Sequence, residues 1–157
     1  MDQNDGCGQA QEIVVSTDIS RFDLDRVHAW LASEAYWCKG LPRMVFDRSV
    51  KHSICFGAFT SSGEQAGFAR IVSDQATFAY LCDVFVFPAF RGWGISKAMM
   101  EAVIAHPAMQ GLRRIMLATS DASGLYARYG FRALATPERL MEITNPRIYE
   151  RQEAFDA

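Results

Sequence analysis

Asp83-Val84-Phe85-Val86-Phe87-Pro88-Ala89-Phe90-Arg91-Gly92-Trp93-Gly94-Ile95-Ser96-Lys97-Ala98-Met99-Met100 reads as a strand, a turn and the opening of a helix. Val84 to Phe87 is an apolar, β-branched and aromatic run that suits a buried strand. Pro88 has no N–H to give a ladder, so the strand ends there. Past Gly94 the apolar positions Ile95, Ala98, Met99 and Ala102 recur at helical spacing and share a face. Between strand and helix, Gly92 and Gly94 flank one bulky residue. Such a turn lets another molecule approach the backbone, and the free N–H groups of the helix start face an anion placed there. An ordinary tight connection has the same outline.

The residues around the turn exclude two phosphate-binding alternatives. No Gly-Lys-Ser or Gly-Lys-Thr follows, so this is not a P-loop, and the third glycine of a dinucleotide fingerprint is missing. Arg91, Gly94 and Ser96 instead resemble the acetyl-CoA signature of the GCN5-related N-acetyltransferase family. That signature is Arg or Gln, two residues, Gly, one residue, then Gly or Ala. Ser96 departs from it but is still small, and under the resemblance its hydroxyl could add a phosphate contact. A second stretch, Leu125-Tyr126-Ala127-Arg128-Tyr129-Gly130-Phe131, is similar to the Leu-Tyr and Gly-Phe pattern that relatives carry on the helix after the fifth strand. Thr119 stands where relatives often place an Asn, which removes a side-chain amide from the cofactor's arm. The likeness is good over roughly residues 50 to 135 and rests only on element order before them.

The chain has 157 residues, half of them apolar and 22% charged, which fits one globular domain. Its formal net charge of −2 argues against general nucleic-acid binding, and Arg113-Arg114 with Lys97 is too small a basic cluster to change that. Cys7, Cys38, Cys55 and Cys82 are too widely spaced for a zinc pattern or a redox pair. With no leader-like start and no apolar run near the roughly 20 residues of a membrane span, a reduced, cytoplasmic setting away from membranes is expected.

Taken in order, residues 1–11 read as a loose tail and 12–17 as a first strand. A helix is expected over 21–34, with Asp18 or Ser20 as its cap. Tyr36-Trp37 lies on a loop before a short helix over 42–50. Strands over 52–60, 65–73 and 76–87 form an antiparallel meander. The glycine-turn helix runs to Ala105, a fifth strand covers 114–119, and a short helix capped by Ser120 or Asp121 covers 122–129. Further strands are expected from Phe131 and over 141–143. The resulting fold is α/β (α+β): a mixed sheet of six or seven strands with helices on both faces. By resemblance, its parallel fourth and fifth strands splay around acetyl-CoA.

The resemblance implies an acetyl-CoA-dependent N-acetyltransferase acting by direct attack of a primary amine of a small molecule or peptide. The alternative is a CoA-binding sensor or degenerate module without catalysis. It implies that the pyrophosphate sits on Arg91, Gly92, Trp93, Gly94, Ile95, Ser96 and Lys97. The cofactor arm then pairs with the backbone of Val84, Phe85 and Val86 and passes Thr119 and Tyr126. Val84 or Phe85 supplies the oxyanion donor. Tyr126 matches the family's proton donor to the departing thiolate, with Tyr129 as the neighbouring alternative. Asp83, a carboxylate opening an apolar run, reads as general base or amine anchor, or else as the ion-pair partner of Arg70 or Arg91. His52 and His28 are weaker bases. Tyr36, Trp37, Phe68 and Arg70 are expected to line the acceptor side, although the loop aromatics equally suit a core plug. A homodimer is a further expectation.

Overall fold

The computed structural model describes residues 11–150, so the expected tail lies, but for Gln11, outside the described residues. Its elements are β1 (Ile13–Ser16), α1 (Leu24–Ser33), α2 (Arg43–Lys51), β2 (Ile54–Thr60), β3 (Gln65–Ser73), β4 (Phe78–Val86), α3 (Ile95–Ala105), β5 (Arg114–Leu117) and α4 (Ser123–Ala127). One sheet runs in the order β1-β2-β3-β4-β5. Its first three junctions are antiparallel, and β4 with β5 is parallel. α3 supplies the crossover that a parallel pair requires.

Side-chain alternation assigns the two faces. Gly67 lies under Ile95 and Met99, so α3 covers the face that carries Gly67, Ala69 and Ile71. The neighbouring positions Phe68 and Arg70 point the other way, where Trp30 of α1 stacks on Phe85 at 4.0 Å and Phe22 meets Phe68 edge-on at 6.1 Å. α2 packs on α1, with Phe46 5.3 Å from the His28 ring. Asp23, not Asp18 or Ser20, caps α1 by accepting the Arg26 N–H, while Asp18 caps a short 3-10 turn ahead of it.

The sheet has five strands among the described residues, not six or seven. Phe131 closes the turn after α4 instead, giving its N–H to the Tyr126 carbonyl and packing on that ring. Pro137 opens a 3-10 turn that interrupts the following chain. Met141 and Ile143 stand 96% and 106% exposed and join no ladder.

β4 holds the one irregularity that shapes everything after it. Arg70 pairs with Cys82 and Phe68 with Phe85, so Ala69 alone faces both Asp83 and Val84, a β-bulge. Asp83 sits at φ +53°, in the left-handed region. The extra residue flips the phase of β4, so Cys82 and Phe85 fall on one face although they are three apart. Pairing with β5 ends at Leu81 and Leu117, immediately before the bulge, and the two strands part there.

The close seat of α3 is testable at Gly67. A Cβ there would lie 3.0 Å from Ile95 Cγ2 and 3.1 Å from both Met99 Cε and the Phe85 carbonyl oxygen. Gly67→Ala is expected to lower the free energy of unfolding by about 1–3 kcal/mol through overpacking. Gly124→Ala, in open space within α4, is expected to be neutral or slightly stabilising on helix propensity. Urea denaturation of the two variants checks the contrast.

Candidate active site

Where β4 and β5 part, a cavity of about 420 Å³ opens between them. Its walls are Tyr80 to Val84 from β4, Leu117 at the end of β5 and Ala118 to Ala122 after it, Tyr126 from α4, and Tyr36 and Trp37 from the loop between α1 and α2. The structure thus gathers Tyr36, Trp37, Asp83, Val84, Thr119 and Tyr126 in one place. Phe68 is not among them: it is fully buried between Phe22 and Phe85 as core.

Asp83 is held from two sides. Arg70 Nε donates to Oδ2 at 2.8 Å, and Trp37 Nε1 donates to Oδ1 at 2.9 Å. Arg70 is in turn braced by Ser53, whose Oγ accepts from Nη1 at 3.0 Å. The ion pair is largely buried, with the two side chains 16% and 11% exposed. Of the two readings open to Asp83, partner of Arg70 is the one realised, and both carboxylate oxygens are committed. Arg70 therefore stands behind the cavity wall and not in it.

Tyr36 and Trp37 are no core plug. They are 68% and 44% exposed and meet edge-on, ring centroids 5.1 Å apart. The Tyr36 hydroxyl and Ser120 Oγ are 2.7 Å apart, a bridge across the cleft between the loop after α1 and the loop after β5.

The Tyr126 side chain is buried and also walls a neighbouring cavity along β5 and α4. Burial, and then the charge of Asp121, push its phenol above the ordinary value. Tyr129 does not share its face: its hydroxyl donates to the Lys97 carbonyl at 3.4 Å, tying α4 to the first turn of α3. Thr119 Oγ1 accepts the Ala122 N–H at 3.0 Å, closing the turn ahead of α4, and no side chain caps that helix, neither Ser120 nor Asp121. His28 Nε2 lies 2.8 Å from the Leu41 carbonyl oxygen, and neither it nor His52 borders the cavity.

The backbone completes the picture. The Phe87 N–H donates to the Ala66 carbonyl on β3, so the polar groups of Val86, and by alternation of Val84, point to the side that β5 has left. Farther along, Gly92 and Gly94 adopt φ +84° and +76°. No side chain caps α3, and its first closing bond runs from Ala98 to Gly94. The N–H groups of Ile95, Ser96 and Lys97 are therefore left without helical partners. A Cβ at either glycine would meet nothing within 4 Å, so the approach to these N–H groups is open. Lys97 is paired with Glu101 at 3.8 Å. Arg91 and Trp93 are exposed, and Arg91 has no ion-pair partner among the described residues.

Sequence reasoning missed Tyr80, Cys82 and Ser120 as lining residues of the cavity, and the packing of Tyr149 behind it. Tyr149 packs against the loop after α1 at Gly40, where an added Cβ would lie 3.4 Å from the Tyr149 carbonyl oxygen. Burial raises its phenol first, and Cys38 and Asp83 add to that. The Ile148-Tyr149 pair within a polar tail is its only sequence signal.

The profile of the acetyltransferase (GNAT) family matches residues 24–131, and the chain belongs to that family. A GNAT-family acetyltransferase of Xanthomonas campestris has a solved structure with 52% identity and a TM-score of 0.86, covering 89% of this chain and 98% of that one. An acetyltransferase of Gibberella zeae is 32% identical over 138 residues, 74% of this chain and 77% of its own length. Chloroplastic serotonin N-acetyltransferase 2 of rice is 31% identical over 107 residues, 63% of this chain and 54% of that protein.

The ion pair makes a prediction that separates support from proton transfer. Asn at position 83 tolerates the left-handed backbone and still accepts from Trp37, but leaves Arg70 without its counter-charge. Asp83→Asn is expected to cost on the order of 3 kcal/mol of stability, with part recovered in the Asp83→Asn/Arg70→Gln double variant. Chemical denaturation of the three variants reads this directly; an unchanged midpoint in the single variant is the contrary result.

Proposed function

We propose that this acetyltransferase uses acetyl-CoA to acetylate a primary amine of a small molecule or peptide, by direct attack within a ternary complex. The observation that carries the reading is continuity. The freed edge of β4 at Val84 and Val86 leads at one end to the open N–H groups of α3. At the other end it meets a cavity that holds a protonated tyrosine.

The residues present fit acetyl-CoA. The N–H groups of Ile95, Ser96 and Lys97 and the free cation of Arg91 hold the pyrophosphate, with Gly92 and Gly94 keeping the approach clear. The edge groups of Val84 and Val86 take the amides of the cofactor's arm as an added strand would. Acetyl-CoA supplies the activated acetyl thioester. Val84, the last edge residue lining the cavity, offers an N–H to the developing oxyanion; a donor of this kind is worth roughly 10²–10³ in rate.

Tyr126 holds the proton that the leaving thiolate needs. Its raised phenol stays protonated at neutral pH. Asp83, neutralised by Arg70, fixes the wall, while the carboxylate of Asp121 draws the cationic amine toward the cavity, and the amine's proton leaves to water. Cys82 also borders the cavity, but burial pushes its thiol up to about 11, which leaves almost no nucleophilic thiolate at pH 7. That favours direct attack over an acetylated-cysteine route.

Thiol release from acetyl-CoA over an amine panel tests the reading, and CoA binding without thiol release turns it into a non-catalytic CoA-binding module. Tyr126→Phe keeps the ring and its packing, so CoA affinity is expected to hold while kcat falls by roughly 10–10³-fold. The alkaline limb of the wild-type rate profile is expected above the ordinary tyrosine value near 10, because burial and Asp121 both favour the protonated phenol. Asp121→Asn removes the smaller contribution and should move that limb to lower pH. An alkaline limb that survives unchanged in Tyr126→Phe would remove Tyr126 from the role.

A further inference from the structure

We propose that the acceptor is a small aromatic amine that carries no carboxylate or phosphate. This rests on the acetyltransferase reading above and narrows it. The first observation is charge. The ionisable side chains that line the cavity with a formal charge at neutral pH are Asp83 and Asp121, and no Lys, Arg or His is among them. The guanidinium behind the wall, Arg70, is spent on Asp83 and Ser53. Asp83 and Arg70 cancel, and Asp121 leaves the mouth negative. An ammonium group entering this cavity gains from that field. A carboxylate or phosphate on the same acceptor loses its water and finds no free cation to replace it.

The second observation is the shape and rigidity of the aromatic corner. Tyr36 and Trp37 stand at 89° to one another, and each has its polar atom already bonded, Tyr36 to Ser120 and Trp37 to Asp83. The rings are therefore fixed while their faces remain exposed, which is uncommon for two adjacent large aromatics on a loop. A flat ring or a cation docks on such faces, and little ordering is left to be done on binding. Tyr80 and Tyr126 add further aromatic surface deeper in, beside Leu81, Val84 and Leu117. The corner selects for a flat apolar body and Asp121 for a cationic head, so the two features together select against amino acids and sugar phosphates, and a polyamine lacks the flat ring that the corner fits.

Matched pairs test this with the full chain and acetyl-CoA. Thiol release is measured for tyramine against tyrosine, phenethylamine against phenylalanine, and then spermidine and glucosamine 6-phosphate. CoA binding is measured separately by calorimetry. The expected result is a kcat/KM for each aryl amine at least about tenfold above its carboxylated partner and above spermidine and the sugar phosphate. Tyr36→Ala should raise KM for tyramine about tenfold, whereas Tyr36→Phe, which keeps the ring, should come close to wild type. Asp121→Asn should shrink the tyramine-to-tyrosine ratio. Preferred turnover of an amino acid, spermidine or the sugar phosphate overturns the acceptor class and leaves the acetyltransferase reading standing. CoA binding with no thiol release from any amine overturns both.

Discussion

The site depends on how one carboxylate is held. Asp83 occupies a left-handed backbone conformation that costs an ordinary residue about 1–2 kcal/mol. The hydrogen bonds from Arg70 and Trp37 each involve its charge, and bonds of that kind contribute roughly 1.5–3 kcal/mol apiece. Together they outweigh the strain and keep the bulge in β4. The bulge ends the pairing with β5, and the parting of those strands creates both the free edge and the cavity. Removing the ion pair would therefore disturb backbone geometry before it touched any proton.

The other half of the arrangement is the placement of α3. Gly67 lets Ile95 and Met99 sit directly on the sheet, which brings the uncapped helix start to the end of the opened strand. Tyr129, just past the end of α4, then ties that helix to the carbonyl of Lys97, and Tyr126 within α4 is turned into the cavity wall. The open helix start, the strand edge and Tyr126 are thus fixed relative to one another through one glycine and one side-chain-to-backbone hydrogen bond. The opposite wall of the cavity is built differently, from side chains tied across the cleft by Tyr36 to Ser120 and Trp37 to Asp83.

Most of the fold was legible because its signals are local. The glycine turn, the meander and the helix ending at Ala105 each announce themselves by alternation, turn residues or a stop, and β3 and α3 fall on their expected bounds. The bulge was hidden because Val84 to Phe87 is apolar on both faces, so a flip of phase leaves no mark on the pattern. Phe68 was misplaced for the same reason: its neighbours give no hint of which face α1 covers. The strands expected after Phe131 failed because apolar residues there are followed by Pro137 and a turn, and nothing buries Met141 or Ile143. The role of Asp83 was open because choosing between base and ion-pair partner needs the cross-strand register that sets Arg70 beside it. Tyr149 was out of reach because its contact with Gly40 spans more than a hundred residues.

The central claim is that the bulge at Asp83 frees a strand edge that, with the start of α3, receives acetyl-CoA. Amide hydrogen exchange with and without saturating CoA tests it most directly. The account predicts CoA-dependent protection at Val84 and Val86 and at Ile95, Ser96 and Lys97, with little change across β1 and β2. CoA binding that leaves those amides exchanging at their free rates, or that protects instead the arginine-lined cavity beside β5 formed by Arg113, Arg114, Arg132 and Arg139, would contradict it.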